Sequence, residues 1–114
     1  MNGVAALVLG PALAGALAVS EAEPPVVEVR SSKRGFRPDT VSLRRGETVR
    51  FVLSTADGTH CFAVDGLRVE KRIVPGRETR FDLTPESEGT FPFHCCLETG
   101  AAAELERGRI VVAD

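Results

Sequence analysis

The chain has 114 residues, room for one domain and not two, and 43% of them are apolar, enough to bury a compact core. All six aromatics are Phe, with no Trp or Tyr, so the core must be built from Val, Leu, Ile and Phe, a composition that favours strands. A formal net charge of -2 with 26% charged residues is an ordinary soluble surface, which argues against the clustered basic face of a nucleic-acid-binding domain.

The opening differs from the rest. Met1 to Ser20 carries no charge, Val4 to Val19 is almost wholly apolar, and Ala16-Leu17-Ala18 fits a small-x-small cleavage site. Residues 1–18 therefore read as a signal peptide or membrane anchor, and residues 19–25 as a linker. The folded domain is expected over residues 26–114, in the periplasm or outside the cell. No Lys or Arg precedes the apolar run, which is atypical of a signal.

From Val26 onward the period is that of strands. Val26, Val27 and Val29 open a first strand, and Gly35-Phe36-Arg37-Pro38-Asp39 reads as a turn with one buried aromatic. Short strands follow at Val41–Leu43 and Val49–Leu53. In the next, His60, Phe62 and Val64 share one face while Cys61 and Ala63 take the other. Further strands are predicted at Val69–Val74 and Phe81–Leu83, and one that puts Phe91, Phe93 and Cys95 on one face. Leu97 to Glu106 reads as a loop with room for one helical turn, and Arg107 to Val112 closes the chain. Strands this short, with turns this regular, predict an all-β sandwich or barrel.

The residues able to do chemistry fall mainly into two groups at strand ends, His60-Cys61 and His94-Cys95-Cys96, with Asp57, Glu98, Glu104 and Glu106 as nearby acids. Thiolate and imidazole together suit copper or zinc. The sequence contains no P-loop, no dinucleotide fingerprint and no Ser/His/Asp arrangement.

In order and spacing, several pieces of the chain resemble the cupredoxins. They are Gly35-Phe36-x-Pro38, Val41-x-Leu43, Gly46-Glu47, Asp57-x-x-His60-x-Phe62-x-Val64, Val74-Pro75-Gly76, Gly89-Thr90-Phe91-x-Phe93-x-Cys95 and Gly108-x-Ile110-Val111-Val112. The likeness is greatest to the periplasmic EfeO-type domain and the copper domain of cytochrome c oxidase subunit II. It implies a cupredoxin-like Greek-key β-sandwich, with copper as cofactor and His60 and Cys95 as ligands. In that family the loop after the Cys supplies a second His and usually a Met. Here Thr99 falls where subunit II has a second Cys, Ala103 where the second His would be and Glu106 where the Met would be. A shorter loop would put Glu98 at the His position instead. The chain's one Met is Met1, so a thioether ligand is not available to a processed chain.

The candidate metal set is therefore His60 and Cys95, with Cys96 and Glu98 as additional ligands. His94 should point to the opposite face from Cys95 and read as a surface histidine. Glu98, Glu104 and Glu106 read chiefly as solvated loop acids, and Asp57 as a residue closing the turn before His60. A disulfide from Cys61 to Cys95 or Cys96 is the competing use of the thiols. The expected function is extracytoplasmic copper binding, for electron transfer or Cu(I) holding, with no enzymatic activity. The expected partner is a redox or copper-handling protein, with no nucleic acid, and membrane contact only through an uncleaved leader. The alternatives are a metal-free binding module and a thiol or disulfide domain.

Overall fold

A computed structural model describes residues 22–114. The leader expected over residues 1–18 lies outside them. Nine strands and one short α-helix follow in chain order, with a 3-10 turn at Asp65–Leu67 between the fifth and sixth strands: β1 (Val26–Ser32), β2 (Gly35–Arg37), β3 (Thr40–Arg44), β4 (Val49–Thr55), β5 (His60–Val64), β6 (Val69–Ile73), β7 (Thr79–Leu83), β8 (Gly89–His94), α1 (Gly100–Leu105) and β9 (Arg107–Ala113). One sheet runs β2-β1-β4-β7 and the other β3-β9-β8-β5-β6. β1 pairs with β4, and β3 with β9, in parallel; the remaining pairs are antiparallel. This is the all-β Greek-key sandwich expected from the short alternating strands. Among the described residues no helix is long and apolar enough to cross a membrane.

The core lies between the sheets. Val29, Phe51 and Leu53 come from one and Phe62, Ile73 and Ile110 from the other, all fully buried. Phe62 sits at the centre of an aromatic cluster, 4.8 Å from Phe93, 5.8 Å from Phe51 and 5.9 Å from Phe36 between ring centroids. With no larger aromatic available, this cluster contributes much of the burial that holds the sheets together. The segment expected as a turn, Gly35 to Asp39, begins instead with a strand: β2 folds back on β1, with Ser31 opposite Phe36, and so seats Phe36 in the core.

The end of the expected linker is bound to the domain. Arg50 N–H donates to the Pro25 carbonyl at 2.8 Å, and the Arg50 guanidinium bridges Glu23 and Asp82. Two glycines bring backbone close to the end of the sandwich that carries the chemistry. A Cβ at Gly108 would lie 2.3 Å from the Phe93 ring and 2.4 Å from the Asp39 carbonyl, so β9 can approach β8 only without a side chain there. Gly35, at φ +125°, would put a Cβ 2.6 Å from the Leu105 carbonyl. The β1–β2 hairpin thus abuts the end of α1, one residue before Glu106.

Candidate metal centre

His60 begins β5, and alternation directs it inward with Phe62 and Val64; it is 2% exposed. Cys95 follows the last residue of β8 and keeps the inward direction of Phe93, at 1% exposed. The segment between Cys95 and Glu106 is closed at its base, where Cys95 N–H donates to the Glu106 carbonyl at 3.2 Å. Inside it, Glu98 N–H donates to the Cys95 carbonyl at 3.3 Å, turning Glu98 back toward the thiol. One ligand atom each from His60, Cys95, Glu98 and Glu106 then lies within 4.8 Å of the others.

Glu106 is the residue that sequence reasoning misjudged. Expected among the solvated loop acids, it is 1% exposed, and its Oε1 lies 2.8 Å from His60 Nδ1. Its Oε2 is buried with no hydrogen-bond partner among the described residues. The one sequence signal for it was its alignment with the family's Met position. Glu98 does join the group and is half-buried. Asp57 closes the turn as expected, with Oδ2 accepting from Lys33 N–H at 2.9 Å, and also places Oδ1 2.7 Å from His60 Nε2. Both imidazole nitrogens therefore face carboxylates.

Cys96 corrects the expectation of a third ligand. It is disulfide-bonded to Cys61, with Cα atoms 5.3 Å apart. Strand alternation runs on past His94, so Cys95 points inward and Cys96 outward, to the face that Cys61 occupies on β5. The β5–β8 register, which sets Ala63 opposite His94, continues to bring those two cysteines together. Of the open disulfide choices, Cys61–Cys96 forms and Cys95 is left as the free thiol. His94 is half-buried rather than fully on the surface, and it lines a cavity with Cys95 and Glu98.

The electrostatics follow from burial and these contacts. Burial alone would lower the His60 pKa, but hydrogen bonds to Asp57 and Glu106, together with their charges, outweigh it and raise the net value. The Asp57 carboxyl is held down at about 2, first by the Lys33 N–H and then by His60. Burial pushes the Cys95 thiol up; backbone N–H groups of Leu97 and Cys61 pull the other way, and Glu106 adds to the rise. The Cys61 N–H lies 3.3 Å from Cys95 Sγ, a contact that favours a thiolate once one forms. An imidazole, a lone thiol and two carboxylates, one with an unpartnered buried oxygen, fit a transition-metal ion.

Comparison with known proteins bears on the family and the fold. A family model described as a cupredoxin-like domain matches residues 3–112. A probable cytochrome c oxidase subunit 2 of Streptomyces coelicolor is 41% identical over 56 residues, 49% of this chain and 18% of that relative. The chain thus spans well under two thirds of that curated relative. Among solved structures, the periplasmic domain of subunit II of cytochrome oxidase (CoxB) of Bradyrhizobium japonicum superposes with a TM-score of 0.69 at 15% identity, covering 79% of this chain and 84% of that one. The metal-binding domain of the Streptococcus pneumoniae Cu(I)-exporting P-type ATPase CopA, solved with Cu(I), gives 0.65 at 15% identity over 78% and 85%. At these identities the structures show a shared fold. With the family model spanning nearly the whole sequence, the chain belongs to the cupredoxin-like domain family.

Proposed function

We propose that this domain binds one copper ion outside the cytoplasm, through His60 and Cys95 with Glu106 and Glu98 in place of the family's second His and Met, and that it carries electrons rather than catalysing a reaction. The observation that carries this reading is the convergence of four donor atoms of three kinds within 4.8 Å. A copper ion held there would supply a one-electron centre. His60 would give its Nδ1, the nitrogen that faces Glu106, while Asp57 fixes the ring from Nε2. Cys95 would give a thiolate inside the cage, and Glu106 a carboxylate oxygen with no partner among the described residues. Electron transfer is favoured over Cu(I) holding because the Cys61–Cys96 disulfide removes the second soft donor, leaving one sulfur against two oxygens. The partner in this reading is a redox or copper-handling protein of the same compartment.

A metal-free module is the second reading, supported by the Asp57–His60–Glu106 contacts, which satisfy the imidazole without an ion. Titration of the oxidised, metal-free protein with Cu(II), followed by native mass spectrometry and the visible spectrum, separates the two. One equivalent bound with a thiolate-to-copper band, abolished by Cys95→Ser and His60→Ala, supports copper binding. Absence of both bound metal and band assigns the site to the ion-pair reading.

A further inference from the structure

Three of the four donors, His60, Cys95 and Glu106, are sealed from solvent, so a metal ion can reach them only past a group that gives way. On one side Asp57 shuts the approach. Its carboxylate holds His60 Nε2 at 2.7 Å and is itself fixed by the Lys33 N–H. On the other side stands Glu98, the one donor of the four that is half-buried. Its carboxylate makes no ion pair among the described residues, so no such bond has to break for it to move.

A cavity of about 420 Å³ leads to Glu98 from outside. Exposed Pro92 and Arg107 line it, and so do the fully buried Phe93 and Cys95, so it runs from the surface to the residue that carries the thiol. His94 lines it as well. Strand alternation turns His94 to the outer face, which keeps its ring out of the buried donor set and leaves it on the solvent side of Glu98. Among the described residues the imidazole hydrogen bonds are all made by His60, and the His94 ring makes none. Imidazole and carboxylate are both donors that accept Cu(II). The nearby cation, Arg107, is paired with Glu104 at 3.3 Å, which tempers its repulsion of a metal ion. We propose that His94 and Glu98 form a capture site for copper, where His94 takes the ion from solution and Glu98 passes it inward to Cys95, His60 and Glu106. This route rests on the copper reading above and adds the way into the site. Because His94 holds no place in the filled centre, it lowers the barrier for entry and for exit alike.

The test is stopped-flow mixing of the full-length, oxidised, metal-free protein with Cu(II) chloride, followed at the thiolate-to-copper band, with release into excess chelator timed separately. His94→Gln removes one of two capture ligands and should slow loading about tenfold. Release should slow by the same factor, so the dissociation constant and the position of the band stay where they were. Ala103→Leu, which narrows the cavity without removing a donor, should also slow both rates. Ala101→Leu, on the exposed side of the same helix and outside the cavity, should slow neither. Loading of His94→Gln at the wild-type rate would overturn the capture site alone, and so would slow loading with unchanged release, which makes His94 a ligand of the filled centre. A wild-type protein that develops no band overturns the copper reading and the capture site with it. Circular dichroism identifies a variant that fails to fold, and the other cavity variant then decides.

Discussion

Three side chains at the centre titrate in ways that their surroundings dictate. The His60 pKa lies above its ordinary 6.5, so the fold favours the imidazolium; that stabilisation is complete below about 6.5 and is lost as pH rises through the raised value. The metal-free protein should therefore melt at progressively lower temperature above pH 6.5, and Glu106→Gln should shrink this dependence in a melting series across pH. Asp57 works at the other end of the scale. Its carboxyl titrates at about 2 rather than 3.8, so its contribution is present above 3.8 and fades as pH falls toward 2. Cys95, buried and raised above its ordinary 9.0, is a poor nucleophile at neutral pH. Iodoacetamide should label the native protein far more slowly than the denatured protein, and bound Cu(II) should slow it further. Mass spectrometry of quenched samples reads both. Glu106 shows why residue chemistry was only partly legible. A glutamate in a loop is ordinarily solvated, and only the closing bond from Cys95 N–H to its carbonyl, a long-range contact, turns it inward.

At the level of elements, alternation along the strands made most of the sandwich legible. His60, Phe62 and Val64 on one face, and Phe91, Phe93 and Cys95 on another, are consequences of a two-residue period, and all of them but the partly buried Phe91 are buried. Phe62→Ala should cost about 3–5 kcal/mol, because the rings around it cannot close the space, and chemical denaturation measures the loss. The period also ran one residue further than the reading allowed, which sent Cys96 outward to Cys61. Where order depends on backbone pairing rather than pattern, the sequence was silent. Nothing in Gly35-Phe36-Arg37 distinguishes a turn from a three-residue strand until β1 is beside it to accept the pairing. Gly108 is similar: its need for a bare Cα arises from Phe93 and the Asp39 carbonyl, both distant in sequence. Gly108→Ala should force β9 off β8, lowering stability and weakening copper binding together in a paired measurement of melting and metal titration.

For the whole molecule, a sandwich of this size gains an appreciable share of its stability from its cross-link. The Cys61–Cys96 bond spans a sequence separation of 35 residues, and loop-closure entropy puts its contribution at about 3–4 kcal/mol. Reduction, or the Cys61→Ser Cys96→Ser pair, should lower the denaturation midpoint by a corresponding amount. The bond also has a consequence for the metal pair. Cys61 is the neighbour of His60, and Cys96 is the neighbour of Cys95. The imidazole and the free thiol are therefore joined by a covalent path of two peptide links and one disulfide, independent of the rest of the fold. Unfolding can carry Glu106 away, but it cannot carry His60 and Cys95 beyond the reach of that short tether. In an oxidised chain the two donors keep a high effective concentration for each other, and a chelating pair of imidazole and thiol persists whether the sandwich stands or not.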